Sequence, residues 1–159
     1  MKTTFSRISV VVAVVLLAVV FIAMACRILF VELPILQTRA GVASIAAAIQ
    51  TELAAGNEEI FAFFPMNSST GWKTIPDERS QVLLEKLQAR YRLDISAHGL
   101  NPWGEPYRIA YENGRSLAVR VSSECPSNRL FGKRHNLEVA FDTPLASPPE
   151  PAELPETIP

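Results

Sequence analysis

Two histidines, two cysteines, two pairs of adjacent acids and one short basic run are the groups through which this 159-residue chain could do chemistry. A zinc or general-base site needs histidines at helical spacing with a carboxylate nearby. His98 and His135 lie 37 positions apart, and both read as surface or loop residues. Cys26 closes a long apolar run and Cys125 stands far from it, so no intramolecular disulfide is expected. Cys125 reads first as a buried, inert thiol, with a free thiol or an intermolecular bridge as alternatives. Glu58-Glu59 and Asp77-Glu78 suit helix starts, where carboxylates meet the positive end of the backbone dipole. Lys133-Arg134-His135 is short and reads as solvated. There is no nucleophile elbow, no phosphate-cradling glycine loop and no paired-cysteine motif. No catalytic, cofactor-binding or metal-ligating residue is therefore assigned, and the chain is read as not an enzyme. A net charge of −1 argues against nucleic acid as a partner.

The sequence says most about membranes. Residues 8–26, ISVVVAVVLLAVVFIAMAC, contain no charge. Nineteen residues in a helix measure roughly 28 Å, close to the hydrocarbon thickness of a bilayer. Ser9 is the one polar side chain in the run, and its hydroxyl can bond back to its own helix. Ala23-Met24-Ala25 before Cys26 also fits a signal-peptide cleavage site. The run exceeds a usual signal core, however, and apolar character resumes at Ile28, Leu29, Phe30 and Val31. An uncleaved anchor over 8–31 is expected, with membrane lipid as its surroundings. Residues 1–7 form a short cytoplasmic flank and the bulk of the chain lies outside, although Lys2 and Arg7 against Arg27 and Arg39 give only a small positive-inside bias.

Pro34 is expected to kink or restart the helix. Beyond it, residues 35–55 carry Val42, Ile45, Ile49 and Leu53 at the 3–4 spacing of one apolar stripe, and Gly56 supplies a stop. Residues 57–75 read as irregular, with Ile60, Phe61, Phe63 and Phe64 tucked into the core, and Asn67-Ser68-Ser69 is a sequon of little expected use. A second helix starts with Pro76 at its first position and buries Leu83, Leu84, Leu87 and Tyr91. Strands follow at 107–112, 115–122 and 136–141. A type I′ turn is expected at Asn113-Gly114, and a loop at 123–135. Residues 143–159 hold six prolines, three glutamates and no base, and read as a disordered spacer. The domain proper is 32–142.

The segment Leu100-Asn101-Pro102-Trp103-Gly104-Glu105-Pro106-Tyr107 is the most distinctive. Pro102 fixes φ, Gly104 permits a tight turn, Pro106 keeps the chain extended into the first strand, and Trp103 is expected to anchor under the sheet. Its pattern resembles the "DPWGNPY" segment of the type II secretion major pseudopilins, within the type IV pilin-like family. Phe5 to Val12 is similar to the aromatic start of a processed pilin, and the Ala-rich stretch 39–55 to the exposed half of the pilin helix. The resemblance implies an α+β fold, with a long membrane-spanning N-terminal helix continuing into an amphipathic helix packed on a small antiparallel sheet. It also implies an inner-membrane, single-pass subunit with a periplasmic domain. Its partners would be other pseudopilin-like subunits, met through the N-terminal helix, and an assembly platform in the inner membrane.

Some positions depart from the family pattern. Thr4 stands where prepilin processing uses glycine, and Ser9 where the family carries the glutamate that meets a neighbour's N-terminal amine. Ordinary processing is thereby disfavoured, and an intact N-terminus, a start near Phe5 and a start at Cys26 all stay open. The late loop holds Gly132-Lys133-Arg134-His135-Asn136 instead of calcium-binding aspartates, so no calcium is expected there. Two functions follow. One is a structural subunit of a type II secretion or type IV pilus-like filament. The other is a single-pass tethered binding or accessory domain acting outside any filament.

Overall fold

A computed structural model describes residues 2–65, 71–93, 95–96, 98–114, 116–126 and 134–144, with the side chains of 2–9, 126, 134 and 135 left aside. Helix α1 covers Lys2–Arg27 and helix α2 covers Leu33–Ala54. The two join through one wide turn at Ile28–Glu32 rather than a break. Pro34 has no N–H for the carbonyl four residues back, and its ring needs room in the preceding turn. The wide turn meets this need: the Leu33 N–H bonds the Ile28 carbonyl five residues behind it. The helical assignment thus runs through Pro34 without a restart, with one local widening just before it. The same turn sets Arg27 beside Glu32 at 3.4 Å.

From Val10 onward the apolar side chains of α1 are exposed: Leu17 is 61% exposed and Phe21 64%. On α2 the expected stripe is buried, with Val42, Ile45, Ile49 and Leu53 all facing the domain. The helix ends as the sequence predicts. Gly56 takes φ +70°, its N–H bonds the Leu53 carbonyl at 3.1 Å, and the Asn57 N–H bonds the Glu52 carbonyl at 3.0 Å.

Residues expected to be irregular include a one-turn helix, α3, at Glu58–Phe61. Asn57 caps it by accepting from the Glu59 N–H. Ile60 and Phe64 are buried as expected, while Phe61 and Phe63 only lean on the core. A two-residue strand, β1, follows at Lys73–Thr74. Helix α4 spans Asp77–Arg90 with Pro76 just outside it, at the cap, in extended geometry. Asp77 and Glu78 occupy its first turn, and Leu83, Leu84 and Leu87 are buried. Tyr91 lies past the helix end and is half-buried.

The sheet is antiparallel in the order β1-β2-β3-β4, with β2 at Tyr107–Asn113, β3 at Ser116–Pro126 and β4 at Arg134–Pro144. Alternation puts Ile109, Tyr111, Leu117, Val119 and Val121 on the inner face, against α2 and α4. Phe64 meets Tyr111 edge-on at 5.7 Å. Three expectations need correction. Gly114 does not take positive φ. Asn113 pairs with Leu117, so three residues close the hairpin and the two-residue type I′ turn is absent. The β3–β4 pairing also runs outward to Pro126 and Arg134, so Cys125 lies in a strand rather than a loop, and β4 takes in Thr143 and Pro144 from the expected tail. The sequon at 67–69, the loop residues Phe131, Gly132 and Lys133, and the rest of the tail lie outside the described residues.

Candidate functional site

The 100–107 segment folds into one tight turn in front of β2. Asn-Pro-Trp-Gly is the residue order a type I turn favours, with Pro second and Gly fourth. Here the Gly104 N–H bonds the Asn101 carbonyl at 2.9 Å and Gly104 takes φ +81°. Leu100 bridges Pro106, and the Asn101 N–H reaches the Glu105 carbonyl at 2.9 Å. The residue that organises this turn is Asn101, only 4% exposed. Its Oδ1 accepts from the Trp103 and Glu105 N–H groups, both at 2.9 Å. Its Nδ2 donates to the Ser123 hydroxyl at 3.0 Å and the Glu124 carbonyl at 2.8 Å. One amide thus ties the turn to the end of β3. Tyr107 is buried and pairs with Ser123; Pro102 and Gly104 are exposed; Pro106 is half-buried.

Trp103 is the correction. It is half-buried and outside the packed core, so it does not anchor the sheet from beneath. Asn101, to which no role is assigned from the sequence, is the residue that ties the turn down. The signal available in the sequence was the Asn-Pro pair itself, since an Asn side chain mimics a backbone acceptor two residues on.

A cleft of about 280 Å³ opens beside the turn, lined by Gln37, Ile95, Ser96, Leu100, Asn101, Pro102 and Tyr107. Among the described residues its lining includes no carboxylate, histidine, cysteine or lysine. Gln37 lies six residues past Val31, roughly 9 Å along the helix, so the turn sits at the end of the domain nearest the apolar run.

No protein-family model, curated protein or solved structure matches this chain.

Among the described residues no three His, Cys, Asp or Glu side chains come together as a metal site would need. His98 is exposed in a turn. Cys26 is exposed on the long helix, whereas Cys125 is 2% exposed, and burial pushes its thiol up while Arg39 partly offsets this. A buried, protonated thiol is a poor nucleophile.

A polar clamp missed from the sequence binds the two main helices. Glu52, on the buried side of α2, accepts from Asn57 and from Arg90 at 2.9 Å; Arg90 also reaches Glu59 at 3.4 Å. Its signal was one acid on an otherwise apolar stripe, three residues after Ile49. The hydrogen bond from Asn57 holds the Glu52 carboxyl below its ordinary value of 4.5, with Arg90 and Tyr91 adding and burial opposing. A depressed folded-state value means that the clamp's contribution is present above about pH 4.5 and is lost as pH falls through the lower folded value. Thermal melts from pH 6 to pH 3 should therefore show a drop that flattens in Glu52→Gln. Parallel curves for the two proteins would refute the clamp.

Proposed function

We propose that the chain is a membrane-anchored, pseudopilin-like structural subunit of a type II secretion or type IV pilus-like assembly. Its first residues lie in the cytoplasm, its apolar helix crosses the inner membrane, and its sheet domain stands outside. One observation carries the reading: a helix long and apolar enough to cross a membrane, with every side of its apolar part bare, continues unbroken to Ala54 beneath the sheet. In water such a surface is a large liability; in lipid, or against other helices, it is satisfied. The turn built on Asn101, Pro102 and Gly104 supports the family resemblance by its residues, although no solved relative does. Ala-rich surface on α2, including exposed Ala40, Ala43 and Ala47, leaves room for close helix approach.

Cys26 offers a direct test, because it is the exposed cysteine and Cys125 is sheltered. Oxidation of native membranes should give disulfide-linked species through Cys26, either with a second copy or with cysteines placed in pilin-like relatives. They should vanish in Cys26→Ser. A product that stays monomeric under conditions that crosslink a known membrane dimer would instead favour a solitary tethered domain.

A further inference from the structure

The free edge of β4 carries an inference beyond subunit packing. β3 pairs with β4 without a bulge over eleven positions, from Pro126↔Arg134 to Ser116↔Pro144. Among the described residues nothing pairs with the other side of β4, since the sheet ends there. Edge strands are normally blunted by proline, lysine, a bulge or brevity. β4 has eleven residues, and its only proline is its last, Pro144. No lysine interrupts it. The opposite edge is only the two-residue β1, ahead of Pro76.

The inner row of β4 is also unfinished. Val119 and Val121 on β3 are fully buried, yet their β4 neighbours Phe141 and Val139 remain half-exposed, as does Leu137. One more strand would cover that row and satisfy the open backbone groups together. The outer row specifies the charge. From 136 to 142 it reads Asn136, Glu138, Ala140 and Asp142, all exposed, with acids and no base. Cross-strand neighbours of opposite charge are favoured and like charges are not. A second copy of β4 brings the same two acids, Glu138 and Asp142, against one base in that row, Arg134. Residues 145–159 of this chain bring prolines, which cannot donate to a ladder, and three more glutamates.

We infer that the β4 edge accepts an extended strand from another protein, with apolar residues alternating with lysine or arginine, as a fifth strand of the sheet. The probe is a synthetic peptide alternating valine with lysine and threonine, added to the full-length chain in detergent micelles. Two controls accompany it: a scramble that removes the alternation, and a version with glutamate for lysine. The alternating basic peptide should bind at least about tenfold more tightly than either control and slow amide exchange across 137–143. Glu138→Lys with Asp142→Lys changes exposed side chains, giving up the Glu138 contact with Arg120 of β3 at 4.0 Å, and should reverse the preference toward the glutamate peptide. Equal binding of basic and scrambled peptides would overturn the inference. So would unchanged β4 exchange, or protection that rises with protein concentration in the absence of any peptide, which would assign the edge to a second copy.

Discussion

Asn101→Ala is expected to destabilise the domain by roughly 2–4 kcal/mol, more than any other single change in the 100–107 turn. The substitution removes both acceptor bonds to the turn's N–H groups and both donor bonds to β3. It also takes a donor away from the Ser123 hydroxyl, which still donates to the Pro106 carbonyl, and from the Glu124 carbonyl. For a domain of this size the melting temperature should fall by about 10 °C or more. Asn101→Asp separates the two halves of the role. It keeps the acceptors for Trp103 and Glu105, but sets a carboxylate against the Glu124 carbonyl and should recover little. Trp103→Ala, by contrast, should cost about 1 kcal/mol, because the ring is half-buried and touches no packed cluster. If thermal melts ranked the tryptophan above the asparagine, the bonding scheme of the turn would be wrong.

The second large effect concerns the apolar helix. Leu17 and Val20 lie near the middle of the uncharged run, and both are exposed to whatever surrounds the helix. An arginine at the centre of a spanning helix costs about 2.5–3.5 kcal/mol, so Leu17→Arg with Val20→Arg should oppose insertion by about 6 kcal/mol. Cell fractionation should move most of the variant out of the membrane pellet, while Leu17→Ala with Val20→Ala should stay in it. The same pair of arginines would also disrupt packing between helices, so loss of the Cys26 crosslink should accompany loss of insertion. A double-arginine variant retained as firmly as the parent would mean that this helix does not sit in hydrocarbon.

Legibility from sequence followed the range of the interactions. The α2 stripe was readable because Val42, Ile45, Ile49 and Leu53 repeat with the helical period, and burial of that face is a local rule. Strand β1 was not, since two residues carry no period and owe their conformation to Tyr111 and Ala110, far along the chain. The wide turn before Pro34 left no compositional mark; it is the backbone's answer to a missing donor inside a helix that continues on both sides. At Asn113-Gly114 the dipeptide named a hairpin correctly and its turn type wrongly, because the register between β2 and β3 set the loop length. The candidate turn was found by its residues, but their weights were misjudged. Size suggested Trp103 as the anchor, whereas the number of hydrogen bonds a small amide can satisfy made Asn101 the fixed point. Glu52 reads as an intruder on an apolar face until Asn57 and Arg90 are placed beside it, and that placement depends on how α4 crosses α2.

The anchoring claim, on which the subunit reading depends, is tested most directly by extracting native membranes at alkaline pH and then floating them on a density gradient. The full-length chain is expected to rise with the lipid fraction and to need detergent for release, with its first residues intact or trimmed no further than Phe5. Recovery in the aqueous fraction, or of a mature form beginning at Cys26 without its apolar helix, would contradict the account.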